Sequence, residues 1–237
     1  MQTNLLYQPV STMAQVILEP HERLIVEPGA MIGMSTNIDM QTGLAGNNDS
    51  QGGIFGAIVG AATRMLSGES FFQNTYTAQG PAQGELLLAH TLPGDMAWIT
   101  PSQAGVMMQS SAYIANTPGM GVRADVGGFN TFFGGEGIFV LNATPTAPGQ
   151  SVLVGAFGGI QELPCDGELM IDTGHLVAWD SSLTFNVTKA GGGWIQSFLS
   201  GEGLVCSFRG QGRIWIQTRH PTEFGTLVGG MLPPRTN

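Results

Sequence analysis

One phrase is written three times along this chain of 237 residues. It reads Leu66-Ser67-Gly68-Glu69-Ser70-Phe71-Phe72, then Phe133-Gly134-Gly135-Glu136-Gly137-Ile138-Phe139, then Leu199-Ser200-Gly201-Glu202-Gly203-Leu204-Val205. The central glycines stand about 66 residues apart. A second phrase follows each copy: Gly94-Asp95-Met96-Ala97-Trp98-Ile99, Gly149-Gln150-Ser151-Val152-Leu153-Val154 and Gly212-Arg213-Ile214-Trp215-Ile216-Gln217. A looser phrase precedes each: Gly29-Ala30-Met31-Ile32, Ser111-Ala112-Tyr113-Ile114 and Gly174-His175-Leu176-Val177. Self-similarity at a fixed period constrains architecture more than any local pattern, because each copy must adopt the same supersecondary unit. A unit this short buries too little surface to be stable alone, so three fused copies are expected to share cores. The reading is one compact domain, 1–237, with three β lobes at about 14–103, 104–165 and 166–220 and a tail at 221–237.

Most segments between these phrases are short and apolar, broken by Gly, Pro, Asn or Asp, which is the spacing of strands in a sandwich or barrel. Strands are expected at 15–18, 23–27, 85–89, 138–142, 151–155, 169–172, 183–188, 204–209 and 213–218. In Leu183-Thr184-Phe185-Asn186-Val187-Thr188 the apolar residues alternate cleanly, as on a half-buried strand. Pro93-Gly94, Pro148-Gly149 and Gly210-Gln211-Gly212 read as turns. Residues 43–51 are polar and glycine-rich and read as a loop. Ile54–Leu66, rich in Ala, Met and Leu, has the composition and length of one short helix inserted in the first repeat. The fold class is all-β: three pseudo-repeats of a small β-sandwich or barrel unit.

Only 11% of residues are charged, while 42% are hydrophobic. Typical soluble domains carry roughly 25% charge. Low charge with ordinary apolar content implies a surface largely covered by stacked sheets or by other subunits. The net charge is −9, and Lys189 is the single lysine. Nucleic-acid affinity comes mainly from Lys and Arg neutralising phosphates, so nucleic acid is not an expected partner. The longest apolar run, Ile54–Ala62, is too short for a transmembrane helix. The start of the chain lacks the pattern of a secretory signal, and a cytoplasmic location is expected.

The glycine-turn phrases resemble the altered inheritance of mitochondria protein 24 family, a mitochondrial biogenesis protein family, and its bacterial members. The matching residues are Gly68-Glu69, Gly134-Gly135-Glu136-Gly137, Gly201-Glu202-Gly203 and Gly212-Arg213-Ile214-Trp215-Ile216-Gln217-Thr218-Arg219. Leu24-Ile25-Val26-Glu27-Pro28-Gly29-Ala30-Met31 matches the opening, and the likeness runs from about Gln15 to Arg219. The resemblance implies a fold similar to the tryptophan RNA-binding attenuation protein class, whose small β units join edge to edge. It implies neither tryptophan nor RNA binding, since no ligand motif of that class is matched.

Chemical motifs are scarce. Glu69, Glu136 and Glu202 fall at equivalent places in the repeats and are the candidate metal ligands, because hard cations take several carboxylate oxygens. The favoured alternative is a turn carboxylate that recurs because the turn recurs. His21, His90, His175 and His220 form no HxH or HExxH pattern. His175 lies in an apolar run and reads as a satisfied core or edge residue. Cys165 and Cys206 are formally nucleophile candidates, but Cys206 sits in an apolar strand, where a buried thiol is inert. Whether the two pair is left open by the sequence. No nucleophile elbow, P-loop or dinucleotide fingerprint is present. Trp98, Trp194 and Trp215, with Phe132 and Phe133, have the chemistry to stack on a flat ligand, although aromatics at strand positions are more often core. The expectation is a non-enzymatic assembly or scaffold protein without a cofactor. It self-associates through its β lobes into a homo-oligomer, with a trimer as the expected number. The alternative is a protein binding a small ligand or cation between lobes.

Overall fold

A computed structural model describes residues 1–44, 72–125, 139–189 and 204–233. The fold is all-β, with three sheets among the described residues. In the first, β1 (Gln2–Leu6), β2 (Met13–Leu18), β7 (Gly84–Ala89) and β4 (Met31–Met34) lie in that order. The second has the order β5 (Ile38–Leu44), β6 (Phe72–Ala78), β3 (Arg23–Val26), β10 (Tyr113–Asn116), β13 (Val152–Gly155), β8 (Met96–Ile99). The third has the order β11 (Met120–Asp125), β12 (Val140–Pro145), β9 (Val106–Gln109), β15 (Leu176–Asp180), β17 (Leu204–Gln217), β14 (Ile160–Asp172), with β16 (Thr184–Lys189) also on β17.

The same antiparallel pairing scheme recurs along the chain. β2 on β7, β8 on β13 and the first half of β14 on the second half of β17 are counterparts. So are β4 on β7, β10 on β13 and β15 on β17, and each of these three slips register by one residue, at Ile32, Ile114 and Val177. β3, β9 and the second half of β14 pair with β6, β12 and the first half of β17. β5, β11 and β16 close the hairpins on those same strands. The loose opening phrase of the sequence thus ends each time on the slipped residue. The second phrase is aligned correctly only in its later copies. Met96-Ala97-Trp98-Ile99 forms β8, whereas the strand equivalent to β13 and the end of β17 is β7. The alternating Leu86 and Leu88 of β7 carry the pattern there, not Gly94.

Neighbouring sets are stitched by two joints. β3 pairs β10 with Val26 opposite Ala115 and Ile25 opposite Asn116. β9 pairs β15 with Met108 opposite Ala178 and Met107 opposite Trp179. Stitching leaves several strands buried on both faces. Leu153 of β13 packs with Val16, Leu24 and Leu86, while its neighbours Val152 and Val154 pack with Met108, Leu141 and Trp215. β15 does the same, sending Val177 and Ala178 to the second core and Leu176 and Trp179 to a third with Cys206, Phe208 and Ile214. Strands covered on both sides read as continuous apolar runs, which explains Val152-Leu153-Val154 and the low charge of the chain.

Two expectations need correction. Residues 221–231 were expected as part of a tail but form α1 (Pro221–Met231), the one α-helix among the described residues. Its start is built locally: Pro221 supplies a preset φ in the first turn, and the His220 ring accepts the Glu223 backbone N–H at 3.3 Å. Residues 210–212 were expected as a turn but lie inside one unbroken ribbon of β14 and β17. Gly167 and Gly210 face each other in it with φ of 113° and 123°, so both strands bend together without losing their ladder. The helix expected at 54–66 and the loop at 43–51 fall wholly or mainly outside the described residues. No helix among the described residues is long and apolar enough to cross a membrane.

Candidate functional site

Among the described residues, two strands lack the partner that both of their counterparts have. β4 is the last strand of the first sheet, although β10 and β15 are each paired on that side by β3 and β9. β14 is the last strand of the third sheet, although β3 and β9 are paired there by β10 and β15. The exposures follow. Ile32 at the β4 slip is 55% exposed, against 0% for Ile114 and 1% for Val177. Met170 on β14 is 59% exposed, against 7% for Met107 of β9. Met31 and Met34 of β4 are exposed as well. No Lys or Arg guards either stretch, Met31-Ile32-Gly33-Met34 or Glu168-Leu169-Met170-Ile171-Asp172. Exposed apolar edges of this kind are templates for pairing with another chain.

A groove of about 500 Å³ opens beside the β14 edge, over the outer face of β14, β17 and β16. Glu168, Met170, Phe185, Asn186, Ser207 and Arg209 line it. Glu168 accepts from Ser207 at 3.0 Å and from Arg209 at 3.2 Å, and these contacts hold its carboxyl below the usual range. The groove is a face of mixed polarity, with Met170 and Phe185 beside an ion pair of Glu168 and Arg209.

The joint between β3 and β10 holds a buried polar cluster. Gln73 donates to the Tyr113 hydroxyl at 2.6 Å and to Asn116 Oδ1 at 3.3 Å, and Tyr113 donates to the same oxygen at 2.5 Å. Asn116 passes its amide N–H to Thr117 O at 3.0 Å. Glu27 lies at the end of β3, its backbone N–H donating to Ile114 O at 2.7 Å. Burial pushes its carboxyl up to about 7. Burial also raises the Tyr113 phenol, with the Glu27 charge adding to it. A carboxyl poised near neutrality has the acidity for proton transfer. Gln73, Tyr113 and Asn116 satisfy one another's side-chain hydrogen bonds, a buried network that ties β6 to β10 beside this carboxyl. The sequence reading missed it, since Gln73 and Asn116 lie in no motif; only tertiary pairing brings them together.

The second joint carries an ion pair. Arg213 donates to Asp180 through Nε and Nη2, both at 3.1 Å, and through its backbone N–H at 2.9 Å. Its guanidinium lies 4.7 Å from the Trp215 ring centroid, and Nη2 reaches Thr100 O at 3.3 Å. This cation links the end of β17 to the segment after β8.

Glu69, Glu136 and Glu202 lie outside the described residues, in the segments joining β5 to β6, β11 to β12 and β16 to β17. Trp194, Phe132 and Phe133 also lie outside. Among the described residues no cluster of three metal-ligating side chains occurs. Trp215 is buried in the second core, and Trp98 is half-buried against the first. His175 is satisfied, its Nδ1 2.8 Å from Gln217 O, and its ring meets His220 edge-on at 5.6 Å. Cys165 and Cys206 are both buried and unpaired. They face Gly212 and Ile171 on different parts of the ribbon, and burial pushes the Cys206 thiol up to about 12. That removes Cys206 as a nucleophile.

An uncharacterized protein of Streptococcus pyogenes serotype M6 is 29% identical over 230 residues, covering 95% of this chain and 88% of its own length. The X-ray crystal structure of protein SPYM3_0169 from Streptococcus pyogenes superposes with a TM-score of 0.75 at 24% identity. It covers 98% of this chain and 99% of that one, a likeness of fold. The family model for mitochondrial biogenesis AIM24 matches residues 4–219, and the chain therefore belongs to that family.

Proposed function

We propose that this protein is a non-enzymatic assembly module, working in the cytoplasm, that associates with copies of itself through its sheet edges. On this reading the three β lobes expected at about 14–103, 104–165 and 166–220 correspond to the pairing sets at 13–89, 96–155 and 160–217, and the oligomer is a closed ring of three chains. The observation that carries the proposal is the contrast at one position. Ile32 stands 55% exposed while Ile114 and Val177, at the same place in the scheme, are fully covered. Burying an aliphatic side chain of that size stabilises by about 1.5–3 kcal/mol. An uncovered row of such side chains, with unpaired backbone beside it, favours association with a further strand. Closed symmetric assembly is the common way for soluble chains to hide such edges. Light scattering at micromolar concentration tests this: a mass well above 24.9 kDa is expected, and the mass of one chain overturns it.

A further inference from the structure

The two unpaired strands are the two halves of one missing joint. In the second sheet the half β8-β13-β10 continues into β3-β6-β5. In the third, the half made by β14, β17 and β15 continues into β9-β12-β11. The first sheet has the matching half β2-β7-β4 and then stops. The third set has the matching continuation, the second half of β14 with β17 and β16, joined to no further strand among the described residues. One chain therefore ends in a β4 socket and a β14 plug, each complementary to the other by the same rule that builds both internal joints.

We propose that β4 of one copy pairs antiparallel with residues 168–172 of the next, head to tail, in the register of the internal joints. The internal joints fix that register. Both set the residue six positions before its own set's slipped residue against the residue just after the next set's slip: Val26 opposite Ala115, and Met108 opposite Ala178. Counting from the slipped residues Ile32, Ile114 and Val177, the equivalent of Ala115 and Ala178 is Gly33. The equivalent of Val26 and Met108 is Ile171. Ile171 thus stands opposite Gly33, and Met170 opposite Met34. The side chains agree with this. The small residue is kept at the Ala position, and Met34 and Met170 replace the apolar pair Trp179 and Met107 of the second joint. The only charges on the plug stretch are Glu168, paired with Arg209, and Asp172, which accepts the Gly174 N–H at 2.7 Å. No like charge faces them from β4. β4 is apolar, the β14 stretch places Leu169, Met170 and Ile171 between its two hydrogen-bonded acids, and both are extended strands with their inner side already in a ladder, so the pairing needs no refolding. The contact is heterologous, and its rotation closes a ring or extends a filament.

This inference rests on the self-association proposed above, and the test separates the two. The variants are Met34→Cys, Met170→Cys and the double variant, treated with a short bismaleimide crosslinker, with mass measured beside each. Both side chains are exposed, so the fold tolerates the changes, and the native thiols are buried. Crosslinked dimers and higher species in the double variant, with none in either single variant or in the wild type, are expected. Crosslinking in a single variant means like edges pair with like, which overturns the head-to-tail joint and leaves self-association standing. An oligomeric mass without crosslinking in the double variant also overturns the joint alone. A crosslink within one chain of single-chain mass means the two edges close on each other, and overturns both proposals. A single-chain mass without any crosslink overturns both as well.

Discussion

At the scale of single residues, the most consequential side chain is Glu27. Its carboxyl is raised to about 7 by burial at the first joint. The unfolded chain ionises it near 4.5, so between roughly pH 4.5 and 7 the unfolded state loses a proton that the folded state keeps. Stability from this group is therefore full below pH 4.5 and is lost as pH rises through 7. Because Glu27 is only partly enclosed, the loss is about 1–2 kcal/mol rather than the full value of the shift. Glu27→Gln removes the ionisation and should flatten the pH dependence of the melting temperature between pH 5 and 8. A variant that keeps the wild-type slope sinks this assignment. Family resemblance put Glu27 in a matching phrase, but no sequence signal marks its burial, which comes from β3 meeting a strand far along the chain.

At the scale of elements, the ribbon of β14 and β17 shows how glycine shapes a strand. A Cβ at Gly210 would make only ordinary contact, its nearest neighbour the Leu183 side chain at 3.5 Å, yet the φ there is 123°. Gly43 lies in β5 with no neighbour within 4 Å and no positive φ. Gly210→Ala should then cost about 1–3 kcal/mol through backbone strain alone. Gly43→Ala should stay within about 0.5 kcal/mol. Denaturant unfolding of the two variants checks the difference, and equal midpoints contradict the account. Gly210-Gln211-Gly212 has the composition of a turn, because a strand bend and a turn use the same residue. What separates them is the partner: Gly167 lies opposite and bends in step.

At the scale of the whole molecule, charge and edges set the partners. With a net charge of −9 and one lysine, binding to nucleic acid should be no tighter than the non-specific range of about 10⁻⁴ M at physiological salt. A salt-dependent gel shift with RNA at micromolar protein contradicts that. The proposed contact between copies, β4 on β14, would reuse the antiparallel joint that links β3 to β10 and β9 to β15 within the chain.

The sequence by itself determined the strand class and much of the strand set. Period-two alternation at 183–188 and apolar runs bounded by glycine are local signals, and they locate β16, β13 and both halves of β17. The slips at Ile32, Ile114 and Val177 belong to the strand pairing, not to any local pattern, although each falls on the last residue of a similar phrase. Tertiary structure alone decided which strand meets which. Val152-Leu153-Val154 reads the same whether it is covered on one face or two, and Met96–Ile99 reads like β13 although it occupies a different place in its sheet. Pairing across sets depends on residues distant in the chain, such as Val26 with Ala115. For that reason the exposed β4 and β14 edges, which look like ordinary apolar strands in sequence, stand out only once their counterparts are seen to be covered.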